Sequence, residues 1–300
     1  DNKINKIYIA RDPYGVRPLY YFFDKNIENE NHICFASELK VLYNLSFNKK
    51  NIQHFTPGSY MIIDSMNYKM EKYIKYTSLP CFNKNYTLNN NIDTILFNEI
   101  YNNLSKAVYK RVIGTTERPI ACLLSGGLDS SLVACLVNKF LKSNNVNNVL
   151  NTFSIGLQGS EDLKYAKIVA NHIKSVHHEI IVSEDDFFDA IPEVIKNIES
   201  YDTTTVRASV GNYLIGKYIK ENSDCKVIFN GDGADELMGG YLYFKHSPNE
   251  YEFDKETRRL LNDIHTFDVL RSDRCISVNG LEPRTPFLDR QWVEFYLSID

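Results

Sequence analysis

The residues best equipped for chemistry gather in two short stretches. The first is Ser125, Gly126 and Gly127, followed at once by Asp129, Ser130 and Ser131. Residues 120–124 form a short apolar run suited to a buried strand. Residues 129–140 carry Leu132, Cys135, Leu136 and Phe140 on one helical face. A strand that turns sharply into a helix leaves unpaired N–H groups at the helix start, here beside the Ser125, Ser130 and Ser131 hydroxyls. The partial positive charge of the helix end and these donors together suit a phosphate. The glycines let the backbone approach an anion with no Cβ in the way. No lysine closes the loop, which excludes the Walker-type phosphate loop. The competing reading is an ordinary strand-to-helix turn capped by Asp129.

The second stretch runs from Asn230 to Glu236 and follows the apolar residues 226–229. Gly231 and Gly233 allow a tight backbone approach, while Asp232, Asp235 and Glu236 crowd a short loop with negative charge. Like charges this close are unfavourable unless a cation neutralises them, and with Asp129 opposite they suit a magnesium–ATP site. The spacing lacks the ligand ladder of an EF-hand, which excludes a calcium loop of that kind. The competing reading is an exposed acidic turn leading into a capped helix.

The elements around these stretches predict how they meet. Residues 7–10, 19–23, 33–36 and 59–63 are β-rich runs, separated by turn residues at 12–15, 24–31 and 57–58, with a short helix over 37–43. This β-rich layer begins with a strand that has no partner before it. Residues 83–94 are polar and asparagine-rich, the best linker in the chain. From residue 95 helices and strands alternate. Helices are predicted over 95–112, 162–173, 184–198 and 206–220, and strands over 120–124, 150–156, 177–182 and 226–229. The chain after 236 reads as largely helical, with a last helix over 291–299. Strands separated by helices predict an α/β domain, a mostly parallel sheet with helices on both faces. Ligands bind such sheets at the carboxyl ends of the strands, so the loops 125–131, 156–161 and 230–236 should converge.

Composition narrows the partners. A formal net charge of −4 gives no pull toward nucleic acid or an anionic membrane surface. No apolar run is long enough to span a bilayer. The six cysteines, Cys34, Cys81, Cys122, Cys135, Cys225 and Cys275, are scattered with no Cys-x-x-Cys pair, which predicts reduced thiols in a cytoplasmic protein.

Leu124-Ser-Gly-Gly-Leu-Asp-Ser-Ser131 resembles the Ser-Gly-Gly-x-Asp-Ser motif of ATP pyrophosphatases, which cleave ATP between its α- and β-phosphates. Phe153-Ser-Ile-Gly-Leu-Gln-Gly-Ser-Glu-Asp-Leu163, Val176-His-His-Glu-Ile180, Glu199-Ser-Tyr-Asp-Thr-Thr-Thr-Val-Arg-Ala-Ser209 and Asn279-Gly-Leu-Glu-Pro-Arg-Thr-Pro-Phe-Leu-Asp289 follow in an order that resembles the glutamine-dependent asparagine synthetase family. Arg11-Asp-Pro-Tyr-Gly-Val-Arg-Pro-Leu-Tyr20 and Phe35-Ala-Ser-Glu-Leu-Lys40 resemble the later half of that family's glutaminase domain. The resemblance covers nearly the whole chain. It implies a partial, β-rich glutaminase layer of the N-terminal-nucleophile kind over 1–82, a linker over 83–94 and an ATP-dependent synthetase domain over 95–300. That second domain would have the adenine nucleotide alpha hydrolase-like fold.

The resemblance also implies roles. Leu124, Ser125, Gly126, Gly127, Asp129, Ser130, Ser131, Ile155, Asn230 and Gly231 would bind ATP, with Ile155 against the nucleotide. Asp129 and Asp235 would hold Mg2+. Asp232 would organise the acyl intermediate or ammonia. Arg207, with Thr204 and Thr205 close by, would take the substrate carboxylate, because arginine binds one bidentately; otherwise it is a surface helix residue. His177 and His178 read as structural. Arg284 and Asp289 are expected as a buried pair, either near the site or purely structural. Aspartate and glutamine or ammonia are the implied substrates, and a homodimer is compatible with the resemblance.

The departures are specific. The family's nucleophilic N-terminal cysteine, its glutamine-binding segments and a C-terminal segment bearing a pyrophosphate lysine have no counterpart, so an internal piece of a longer protein is expected. In the acidic loop Asn230 stands where the family has serine, and Asp232 where it has glutamate. A β-lactam synthetase-like cyclase shares these loops, and a non-catalytic ATP-binding regulator is the alternative from another class.

Overall fold

The computed structural model describes residues 1, 3–25, 31–46, 48–79, 92–115, 117–144 and 149–299. They divide into two units, Asp1–Leu79 with Leu261–Leu270, and Pro80–Leu260 with Arg271–Asp300. The linker expected at 83–94 lies outside the described residues as far as position 91, as does Cys81.

The first unit contains strands β1 (Lys6–Ala10), β2 (Tyr20–Lys25), β3 (Asn31–Ala36), β4 (Gln53–His54), β5 (Ser59–Asp64) and β6 (Met70–Lys75), and helix α1 (Leu39–Leu45). They pair antiparallel in two three-stranded sheets, β1-β5-β6 and β3-β2-β4. Alternation along β2 sends Tyr21 and Phe23 to one face and Tyr20 and Phe22 to the other. Tyr21 packs with Phe55, Met61 and Ile63 between the sheets, while Tyr20 and Phe22 pack on Leu42 of α1. The first strand, which has no earlier partner, pairs with β5, Lys6 opposite Asp64. Gly15 has φ +63°, and a Cβ there would lie 2.7 Å from the His265 Cβ, so this turn requires glycine.

The second unit contains α2 (Ile92–Val112), β7 (Ile120–Leu123), α3 (Leu128–Ser143), β8 (Asn151–Gly156), α4 (Glu161–Ile173), β9 (Val176–Ile181), α5 (Glu184–Ile198), α6 (Thr203–Asn222), β10 (Val227–Phe229), α7 (Ala234–Met238), most of α8 (Glu250–Asp263) and α9 (Asp268–Ser277), whose facing ends fall in the first unit, β11 (Glu282–Arg284) and α10 (Arg290–Tyr296). Five strands form a parallel sheet in the order β11-β10-β7-β8-β9. On one face Ala121, Phe153, Ile180 and Ile228 pack against Ile215 and Ile219 of α6 and Ile276 of α9. The opposite face is covered by α3 and α4, and α5 lies on α6. The α/β expectation is met. The strand β11, absent from the sequence reading, adds a parallel edge beside β10 with Val227 opposite Glu282.

The chain runs outward from β7 through β8 to β9, then returns to the other side of β7 as β10 and β11. The sheet therefore switches direction between β7 and β10. A crevice forms there at the carboxyl ends of the strands, because adjacent connections leave to opposite faces. The two chemistry-bearing stretches follow directly from these two strands.

Candidate functional site

The loop after β7 is built by its backbone. The Leu124 N–H donates to the Phe153 carbonyl at 2.8 Å and its side chain is buried, which anchors the loop to β8. Gly126 has φ +82°, and a Cβ there would lie 2.5 Å from the Ala166 nitrogen of α4, so only glycine fits. Gly127 caps α3 without a side-chain acceptor, leaving the first-turn donors of the helix to a ligand. Asp129 stands in the first turn and is not the cap. The Ser125 and Ser130 hydroxyls lie 3.0 Å apart, and the Ser125 N–H donates to Ser130 Oγ at 3.2 Å. The Ser131 hydroxyl is instead buried with no partner.

The loop after β10 meets the first one. A Cβ on Gly231 would sit 3.2 Å from the Asp129 Cβ and 3.2 Å from the Ser130 nitrogen, so the two loops pass too close to leave room for a side chain there. Asn230 is buried; its N–H donates to the Arg284 carbonyl at 3.2 Å, and its Nδ2 donates to Asp232 Oδ2 and to Ser272 Oγ, each at 2.6 Å. Gly233, at φ +89°, turns the chain into α7. Asp235 Oδ1 lies over Gly240, where a Cβ would come within 1.9 Å. Glu236 is buried and accepts from the Tyr241 hydroxyl.

A cleft of about 230 Å³ opens between these loops. Ser125, Gly127, Asp129 and Ser130 line one side and Asn230, Gly231 and Asp232 the other, with Leu123 and Asn212 completing it. A larger cavity of about 450 Å³ lies elsewhere, among Leu237, Met238, Phe244, Phe253 and Leu297. Its lining is mainly apolar and includes the carboxylates Glu250 and Asp254, which oppose an anion, so the smaller cleft is the better phosphate site.

Burial, and then the negative charge of Asp235, push the Asp129 carboxyl above the usual carboxylate range. Two carboxylates near enough to oppose each other's ionisation, beside a phosphate-type turn, fit a magnesium ion that completes its shell with phosphate oxygens. Among the described residues no cluster of three or more His, Cys, Asp or Glu side chains could hold a metal without such help.

Other expected residues stand outside the cleft lining. Leu124 is in the core, and Ile155 packs on the core beneath α6. Thr204 and Arg207 are exposed in the first turns of α6, where Asp202 accepts from the Thr205 N–H and hydroxyl at 2.8 Å each. Farther along the same helix Asn212 reaches the cleft, a polar residue between the buried Val210 and Ile215. Sequence reasoning did not single it out, nor Arg271 and Ser272 of α9. The loop 156–161 contributes no lining residue to this cleft.

His177 and His178 are held by neighbouring strand residues and do not line the cleft. His177 Nδ1 is 2.9 Å from Thr152 Oγ1, and His178 stacks on Phe153 with centroids 4.5 Å apart. The expected Arg284–Asp289 pair is corrected. Arg284 binds Glu282 at 3.0 Å, whereas Asp289 takes Arg111 at 2.9 Å and Lys110 at 3.2 Å, because α2 lies alongside the segment that carries it.

Comparison with known proteins gives the family. The family described as "Asparagine synthase" matches residues 99–254 and 245–300, and that described as "Glutamine amidotransferase domain" matches residues 1–87. A relative from Gallus gallus, "Asparagine synthetase [glutamine-hydrolyzing]", is 41% identical over 313 residues, covering 100% of this chain and 54% of its own length. The protein of the same name from Homo sapiens is 40% identical over 316 residues with the same coverage, so this chain spans about half the length of the curated relatives it matches. With the Ser-Gly-Gly turn and the acidic loop joined at a sheet switch point, and the family match running from residue 99 to 300, the chain belongs to the asparagine synthase family.

Proposed function

We propose that this cleft activates aspartate with ATP and that the protein converts aspartate to asparagine, with ammonia drawn from glutamine. The observation that carries the reading is the close approach of the two loops at Gly231, with Ser125, Ser130, Asp129 and Asp232 lining one small cleft. A carboxylate is a poor acyl donor, so the side-chain oxygen of aspartate first attacks the α-phosphorus and the bond to pyrophosphate breaks. The nitrogen lone pair of ammonia then attacks the resulting acyl carbon, AMP leaves with the bonding electron pair, and the nitrogen sheds a proton.

The N-terminus of α3 with Ser125 and Ser130 stabilises charge growing on the leaving pyrophosphate. Asp129 and Asp235 would hold magnesium, which when bound screens the phosphates from the incoming carboxylate. Asp232, across the cleft, orients the acyl group and the incoming nitrogen. Arg207 and Thr204, exposed at the start of α6, would take the rest of the aspartate. The match of residues 1–87 to a glutamine amidotransferase domain supports glutamine as the nitrogen source.

The test is aspartate-dependent isotope exchange between pyrophosphate and ATP in the full-length protein. Exchange that requires aspartate and magnesium is the expected result. Exchange that proceeds equally without aspartate, or none under any condition, would overturn the assignment.

A further inference from the structure

The acidic loop is gripped from a helix that its own sequence does not reveal. Asn230 has both amide hydrogens committed, one to Asp232 Oδ2 and one to Ser272 Oγ, each at 2.6 Å. Its Oδ1 is buried with no partner. A flipped amide would press an oxygen against the Asp232 carboxylate, so the two acceptors fix which way the group points. An unmatched buried acceptor is unfavourable and calls for an explanation. What the arrangement gains is a fixed direction for Asp232. On the other carboxylate oxygen, Arg271 Nη2 stands 3.9 Å from Asp232 Oδ1. Ser272 and Arg271 are consecutive on α9, and they address opposite oxygens of one carboxylate, the first through Asn230 and the second directly.

We propose that Ser272 and Arg271 are positioning residues for Asp232, a strut from α9 that aims this carboxylate into the cleft. The inference rests on the reading of the cleft as an aspartate-adenylating site, and adds how the shorter acid at 232 is held. Aspartate has one methylene fewer than glutamate, about 1.5 Å less reach, and the Asn230 amide spans that distance from the side. Asp232 orients the acyl group once formed and the nitrogen that attacks it, so loosening it should slow amide formation far more than adenylation.

The test compares wild type, Ser272→Ala, Ser272→Thr, Arg271→Met and Arg271→Lys in the full-length protein. Two rates are followed, pyrophosphate–ATP exchange and ammonia-dependent asparagine formation, alongside the melting temperature. Ser272→Ala and Arg271→Met should lower kcat for amide formation about tenfold while exchange stays within about twofold, since misplacing a reacting group by a fraction of an ångström has this order of effect. The conservative Ser272→Thr and Arg271→Lys should recover most of the loss. Parallel loss of exchange and amide formation at unchanged melting temperature would overturn the proposal, as would unchanged amide formation in both non-conservative variants. If Ser272→Ala fails to fold, the Arg271 pair decides by the same criteria. Absence of aspartate-dependent exchange in wild type would instead sink the underlying assignment, a result separable from failure of the strut alone.

Discussion

Gly231→Ala tests the contact on which the site reading turns. Gly231 is absent from the positive-φ residues, so alanine meets no backbone penalty there and the substitution reports on space alone. The new Cβ would lie 3.2 Å from the Asp129 Cβ, 3.2 Å from the Ser130 nitrogen and 3.3 Å from the Asp129 carbonyl carbon. Ordinary contacts begin a few tenths of an ångström farther out, so the two loops must part by about 0.2–0.5 Å. Overpacking of this kind costs about 1 kcal/mol, the lower end of its usual range, because both neighbours belong to loops that can give. In a unit of this size that lowers Tm by about 2–4 °C. Catalysis should suffer more. A 1 Å displacement of reacting groups can cost about a hundredfold, so a fifth to a half of that predicts a drop of about 2.5- to 10-fold in exchange. Aspartate-dependent exchange and differential scanning calorimetry on the same preparation read both quantities. Exchange within twofold of wild type, with the small Tm shift present, would show that the two loops do not act on one ligand.

Asp129→Asn and Asp235→Asn should each raise the magnesium concentration for half-maximal exchange by at least about tenfold with little change in Tm, read by magnesium titration. Asp232→Glu should lower asparagine formation, because the longer acid overshoots the Asn230 amide now 2.6 Å from the carboxylate; an increase would show that the loop accepts either length. Arg274→Met should cost about 3–5 kcal/mol in urea unfolding, since it leaves Glu199, 3.0 Å away and 7% exposed, buried beside an apolar chain. Burial pushes the Asp289 carboxyl up, but Arg111 and Lys110 outweigh it and hold the group below its ordinary value. Its share of stability is therefore full above the unfolded carboxylate pKa of about 3.9 and is lost as pH falls through the lower folded value. Asp289→Asn, which keeps an oxygen for the α10 cap, should flatten that acid limb in pH-dependent melting.

Legibility in the sequence followed the range of the interactions. The Ser125 turn was readable because a strand end, two glycines and hydroxyls are local signals, and the backbone obeys them: Gly126 takes φ +82° where the turn demands it. The strand β7 and the helices α3 to α6 were readable from periodicity for the same reason. The strand β11 was not, since Glu282, Pro283 and Arg284 carry no β pattern and become a strand only by pairing with β10. β6 was hidden because nearly all of Met70–Lys75 is exposed and the alternation that marks a half-buried strand is weak. Arg284 and Asp289 are close in sequence, which suggested a pair. Their true partners arrive from α2 and from within β11, a distinction set by packing and not by spacing.

The two sides of the cleft are therefore held in physically different ways. The donor side is a backbone structure: Gly126 against the α4 backbone, the Leu124 N–H on β8, and the start of α3 fix it without help from distant side chains. The acid side depends on side chains brought from elsewhere, Ser272 and Arg271 on α9 and the Asn230 amide between them. Side-chain substitutions can change the second arrangement in small steps, whereas the first offers few changes short of breaking the turn. Asn230 and Asp232 differ from the residues expected by resemblance on the adjustable side, while the Ser-Gly-Gly turn keeps its form on the rigid one. A compensated exchange of acid length against amide reach follows naturally from that asymmetry, because the position of the carboxylate, and not its parent residue, is what the cleft requires.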